Sequence, residues 1–188
     1  DWGSDAFDNN PLCLGTGECV DSVIVSLPFF HSSTLDQSMG DDWSFQNYPH
    51  GADYAYQITL PTQKNLYVDT CDPITDFDTI LSIKDECGNE VSLTEFDDGT
   101  EDFCPEASVD PPYFASIIDS ITLSAGTYYI VVDGYGGVTG NYKIAIGTLP
   151  EIIGSDIASD DSYLDIYFSE GMYTEATTSG ALVESDFE

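Results

Sequence analysis

Positive charge is almost absent from this chain. Its 188 residues hold three lysines (Lys64, Lys84 and Lys143) and no arginine against 35 acidic residues, a formal net charge of −32. Such a surface repels phosphate backbones, which excludes direct nucleic-acid binding. Mimicry of a nucleic acid is disfavoured too, because the acids scatter through loops rather than aligning in a stripe. Histidine is equally scarce, with only His31 and His50. The cysteines contain no C-x-x-C pair, so the sequence offers a poor zinc site. No apolar run reaches the roughly 20 residues a membrane-spanning helix needs, and no signal-peptide pattern is present. A start at Asp1 rather than methionine fits a processed, exported chain, and fits a fragment equally.

What is present argues for a folded β protein. At 41% hydrophobic and 13% aromatic the chain can bury a core despite its charge. Five cysteines (Cys13, Cys19, Cys71, Cys87 and Cys104) stand in turn-rich sequence, which suits disulfides in an oxidising compartment. One bridge could close the short loop between Cys13 and Cys19. Two of Cys71, Cys87 and Cys104 can then pair, leaving one over, and the connectivity stays open.

Residues 1–20 have no period and read as an acidic tether. "DSVIVSLPFF" puts Val23, Val25 and Leu27 on one face of a strand. Residues 31–52 read as irregular, with a long surface loop at "MGDDWSFQNYPHG". "ADYAYQITLP" alternates Tyr54, Tyr56, Ile58 and Leu60 before Pro61 stops it. "NLYVDT", "DTILSIKDECGNEV", "FASIIDSITL", "TYYIVVD" and "NYKIAIG" continue the series, separated by turn signals and by an acidic loop over 96–113. The run "TYYIVVD" is apolar at both phases, so it is expected at the centre of its sheet. Strands of this kind stack in two sheets, and an antiparallel sandwich of jelly-roll-like form is the economical solution over 21–149. The pattern restarts after Pro150. Residues 150–188 offer two strand candidates, Ile152–Ile157 and Tyr163–Phe168, too few for an independent domain.

The stretches "GADYAYQITLP", "LYVDTCDPITDFDTILSIKDECGNE", "FDDG" and "LSAGTYYIVVDGYGGVTGNYKIAI" resemble the bacterial pre-peptidase C-terminal domain. That module is a β-sandwich of secreted and cell-surface proteins. Residues 152–188 resemble the first part of a bacterial immunoglobulin-like surface-protein repeat, incomplete here or completed by another chain. The resemblance implies a non-catalytic accessory of secreted enzymes or adhesins. Some members resemble collagen-binding or carbohydrate-binding domains, and some bind calcium.

Three sets of side chains are candidates for chemistry. Calcium takes six to eight oxygens, often from carboxylates on turns. "CDPITDFDT" and "EFDDGTED" supply Asp76, Asp78, Asp97, Asp98 and Asp102 as ligand candidates, with Asp72, Glu95 and Glu101 nearby. Turn capping by Asp76 and Asp78 is the plainer alternative. Trp43, Tyr48 and Tyr135, with Phe45, could form an aromatic platform for sugar rings or a protein partner, or could simply lid the sandwich. "HSSTLD" brings His31, Ser32, Ser33 and Asp36 close in sequence, but that is not a triad, and no nucleophile elbow is present. The expectation is a non-enzymatic, secreted or cell-surface structural or adhesive module. It could serve as a fibre subunit that assembles by strand complementation, braced by calcium and disulfides. Its partners would be copies of itself or other extracellular proteins. The alternative is a polysaccharide- or protein-binding accessory domain released from a secreted hydrolase.

Overall fold

The computed structural model describes residues 20–85, 92–97, 114–150, 152–157 and 164–168. The chain divides into two compact units, 1–148 and 149–188. Among the described residues the first unit holds nine strands: β1 (Ser22–Ile24), β2 (Phe29–Leu35), β3 (Asp53–Leu60), β4 (Lys64–Asp69), β5 (Thr79–Lys84), β6 (Thr94–Phe96), β7 (Ile117–Leu123), β8 (Gly126–Gly134) and β9 (Gly140–Thr148). They form two sheets, ordered β1-β3-β8-β5-β6 and β2-β9-β4-β7. Every pairing is antiparallel except that of β1 with β3. The architecture is an all-β sandwich.

Alternation builds the core. Tyr56, Ile58, Leu60, Leu81, Ile83, Ile130 and Val132 of the first sheet meet Leu35, Leu66, Val68, Ile118, Tyr142, Ile144 and Ile146 of the second. Burying a side chain of this size stabilises the fold by about 1.5–3 kcal/mol relative to leaving it exposed. Strand β8 lies third of five in its sheet, which explains its two apolar faces. Ile130 and Val132 point into the sandwich, whereas Val131 points out and is still fully buried. Its cover is the loop between β2 and β3. Trp43 and Phe45 pack there on Ala55, Ile80 and Val131, one residue from each of three adjacent strands.

Two sequence expectations change here. Strand β1 buries Ile24, while Val23 and Val25 are 59% and 91% exposed, so the strand has the opposite phase to the one expected. "VIV" is apolar at both phases, and pairing of Ile24 beside Ile58 decides between them. Residues 29–35, read as largely irregular, form β2, paired with β9 through all seven positions. Its inward positions include His31 and Ser33, so no hydrophobic alternation announces it. Those polar groups are satisfied inside: His31 Nδ1 lies 2.8 Å from Tyr56 Oη, which lies 2.8 Å from Tyr142 Oη.

The described part of the second unit is the antiparallel pair β10 (Ile152–Ile157) and β11 (Leu164–Phe168), with a register shift between Ile152 and Gly154. Tyr167 donates a 3.2 Å hydrogen bond to the Asp156 carboxylate across it.

Candidate functional site

The hairpin turn between β8 and β9 organises one end of the sandwich. Tyr135–Gly137 make a single 3-10 turn, with Gly136 and Gly137 at positive φ. Close backbone approach requires glycine at two further positions. A Cβ on Gly134 would meet the Val138 carbonyl oxygen at 1.8 Å, and one on Gly51 would meet Gly137 Cα at 2.6 Å. The Gly136 amide donates to the Pro49 carbonyl at 2.7 Å, and Gln37 Nε2 donates to the Gly137 carbonyl at 2.9 Å. On the other flank the Tyr135 amide donates to the Asp78 carbonyl at 3.0 Å. The β2–β3 loop, the turn and the 76–78 segment are thus held together by backbone contacts.

Carboxylates crowd this end. Asp53 and Asp133 sit opposite each other on β3 and β8, and both are buried. Asp53 Oδ2 accepts the amides of Asp42 and Trp43, each at 2.8 Å. Asp133 accepts the Gly51 amide at 3.0 Å and the Gly134 amide at 2.5 Å. Burial pushes the Asp53 carboxyl up to about 8 against its backbone donors, helped by the neighbouring Asp133 charge. Burial likewise pushes Asp133 up to about 7, opposed by the Gly51 and Gly134 amides. Asp42 is raised by burial and by the charges of Asp21 and Asp41.

One group of side chains here can hold a cation. Ligand atoms of Asp41, His50 and Asp133 all lie within 4.8 Å of one another. His50 Nδ1 is 2.9 Å from Asp41 Oδ1, an ion pair when the ring is protonated. The sequence alone does not single out this group. Its only signal is that one of two histidines falls, beside a glycine, in an acidic loop.

The expected calcium ligands are dispersed among other duties. Asp76 accepts the Asn141 amide at 2.7 Å and its side-chain amide at 2.9 Å, so it caps the start of β9. Asp72 accepts Lys143 Nζ at 2.6 Å and the Ile74 amide at 3.0 Å. Burial raises its carboxyl, but these donors outweigh that and hold it below its usual range. Among the described residues Asp76, Asp78 and Asp97 do not join a three-donor group. Asp98 and Asp102 lie outside the described residues, as do Cys13, Cys19, Cys87 and Cys104. Cys71 is disulfide-bonded.

The aromatic set separates in the same way. Trp43 is 4% exposed, its ring 5.3 Å from that of Tyr129, and Tyr48 packs against the same cluster. These rings cover the outer face of the first sheet. Tyr135, at 41% exposure, is the member that faces solvent. The "HSSTLD" residues build no triad: His31 bonds Tyr56, and Asp36 accepts the Ser38 amide at 2.7 Å.

Sequence reading also misses a buried lysine network. Lys84 is fully buried and donates to the Ser44 carbonyl at 2.6 Å and to Ser92 Oγ at 3.1 Å. Ser92 donates to Glu95 at 2.6 Å, and Glu95 accepts the amides of Gln46 and Asn47 at 2.8 and 3.0 Å. Burial raises Glu95, but these donors outweigh it and hold its carboxyl below the usual range. The network ties the loop carrying Trp43 to the β5–β6 edge.

No protein-family model and no curated protein sequence matches the chain. Among solved structures it is similar to the pre-peptidase C-terminal domain of a collagenase from Bacillus anthracis. Identity is 10% over 68% of this chain and 95% of that one, with a TM-score of 0.44. It is also similar to a Podospora anserina GH26-CBM35 β-(1,4)-mannanase. There, identity is 15% over 70% of this chain and 28% of that one, with a TM-score of 0.34.

Proposed function

We propose that the chain is a non-catalytic structural or adhesive module of an extracellular protein, joining copies of itself or other extracellular proteins through strand edges. The observation that carries this reading is the β10–β11 hairpin, on which Ile166 and Tyr167 are 42% and 47% exposed. Among the described residues of the second unit this hairpin has two strands, and a two-stranded hairpin is marginal in water by itself. It gains stability by adding strands from another surface, and its exposed apolar side chains favour that addition. The use of His31 and of the "HSSTLD" acid as structural partners supports a non-catalytic role. The disulfide at Cys71 suits an oxidising compartment. Among the described residues no helix is long and apolar enough to cross a membrane.

At a net charge of −32, copies repel until salt or calcium screens them. Calcium would act on the carboxylate-rich loops as a bridging counter-ion. The test is the assembly mass by multi-angle light scattering in calcium and in chelator, for the full chain and for a chain lacking 151–188. The expected result is a large particle that shrinks in chelator and is lost on deletion. A monomer throughout, or assembly indifferent to the deletion, would overturn the reading.

One observation favours a second reading, an accessory domain that binds a polysaccharide or protein substrate. Tyr135 projects from the hairpin turn. Retardation in polysaccharide gels that disappears in Tyr135→Ala would support it.

A further inference from the structure

We propose that Asp41, His50 and Asp133 form a binding site for a divalent transition-metal ion of the zinc type, distinct from any oxygen-only calcium shell. The donor set decides the class of ion. Calcium and magnesium take oxygen ligands, whereas an imidazole with carboxylates suits zinc, copper or nickel. Two carboxylates and one imidazole would leave a fourth position of a tetrahedral site for water or for a donor from a partner.

The geometry is close to that needed. Donor atoms no more than 4.8 Å apart place a central ion within about 2.8 Å of each. Zinc bonds to nitrogen and oxygen are about 2.0–2.2 Å long. Closure of under about 1 Å therefore completes the site. The two outer donors can supply it, since the side chains of Asp41 and His50 are 51% and 26% exposed. The third donor is fixed: Asp133 is fully buried, and the Gly51 and Gly134 amides orient its carboxylate. Such outer-shell donors are what aim a ligating carboxylate.

The backbone under the donors is fixed as well. The Asp53 amide donates to the Gly40 carbonyl at 3.0 Å, and the Gly136 amide to that of Pro49 at 2.7 Å. Asp41, His50 and Asp133 thus ride on segments already bound to one another, so the ion need not order a loose loop. Charge favours occupancy too. Asp41, Asp42, Asp53 and Asp133 share this end, and His50 is the one basic side chain that the described hydrogen bonds and ion pairs bring to them. A bound ion would cross-link the β2–β3 loop to the end of β8.

The test is calorimetric titration of the metal-stripped, tag-free full chain with zinc chloride and separately with calcium chloride. Thermal unfolding and the ring resonances of His50 are followed in parallel. Expected are one zinc per chain at micromolar or tighter affinity, a raised unfolding midpoint and a shifted His50 ring signal. His50→Gln and Asp41→Asn, both at the rim and compatible with folding, should each weaken zinc at least tenfold. They should leave the metal-free midpoint and any calcium response unchanged. No saturable zinc binding below about 100 μM would overturn the proposal. So would zinc affinity unaltered in both variants, since the heat would then come from the general acidic surface. Neither outcome bears on assembly through β10–β11, which the deletion tests.

Discussion

Truncating Trp43 separates a ring that holds the fold from one that serves a ligand. Trp43 is 4% exposed and packs with Phe45 on Ala55, Ile80 and Val131, against the Tyr129 ring. A buried tryptophan removes about 150–250 Å² from water, worth about 4–6 kcal/mol at about 25 cal/mol per Å². Mutational series for large aromatics place the net cost of truncation to alanine at about 3–5 kcal/mol. The upper part of that range applies here. Asp53 still binds the backbone amides of residues 42 and 43, so the loop cannot collapse freely into the space left. Urea unfolding followed by far-UV circular dichroism should show Trp43→Ala losing about 4 kcal/mol with an unchanged slope. Tyr135→Ala, at a solvent-facing site, should stay within about 0.5 kcal/mol of the parent. A loss under about 1 kcal/mol for Trp43→Ala would refute the assignment of this ring to the core and return it to the surface platform.

Gly134→Ala should prevent soluble expression or cost several kcal/mol by thermal unfolding, because its Cβ would lie 1.8 Å from a backbone oxygen. Gly136→Ala, with open space but φ at +65°, should cost only about 1–2 kcal/mol in the same assay. Tyr56→Phe removes a hydroxyl shared by His31 and Tyr142 in the core and should cost about 1–3 kcal/mol in urea unfolding. Asp53, raised by burial to about 8 from an ordinary 3.8, binds its proton more tightly folded than unfolded. Its contribution is therefore fully present below about pH 4, declines between about pH 4 and 8, and is lost above; Asp53→Asn should flatten that decline in metal-free unfolding curves.

The fold was legible wherever alternation was clean. Strand β3 and the long hairpin of β8 and β9 bury Tyr56, Ile58, Leu60, Tyr128, Ile130, Val132, Tyr142, Ile144 and Ile146 at the inward phase. The double-sided apolar character of β8 correctly implied a central position, although what covers its outer face is a loop and not a second sheet. Strand β2 was illegible because tyrosine hydroxyls from β3 and β9 replace the hydrophobic partners that alternation looks for. The phase of β1 was ambiguous in "VIV", and only the neighbouring strand resolves it.

The candidate site lay beyond sequence reading for a different reason. In a chain with 35 acids, no single aspartate stands out as a ligand. The acids are also less idle than a solvated surface would suggest. Asp21, Asp36, Asp53, Asp69, Asp72, Asp76, Glu95 and Asp133 each accept at least one backbone amide. Several of those amides, at residues 42, 43, 46, 47 and 51, belong to the β2–β3 loop. Backbone donors without a strand partner must find an acceptor, and an ionised carboxylate is a strong one. With almost no cationic side chains to pair with, the chain matches its carboxylates to peptide dipoles. That arrangement fixes the loop that carries Trp43 and Phe45, but amides supply only partial charges. Where two such carboxyls are buried side by side, at Asp53 and Asp133, burial raises both above the usual carboxylate range against their amide donors, so peptide dipoles alone do not fully compensate charge there. A rim histidine and an exposed aspartate stand beside Asp133, which is the arrangement in which a divalent ion gains most.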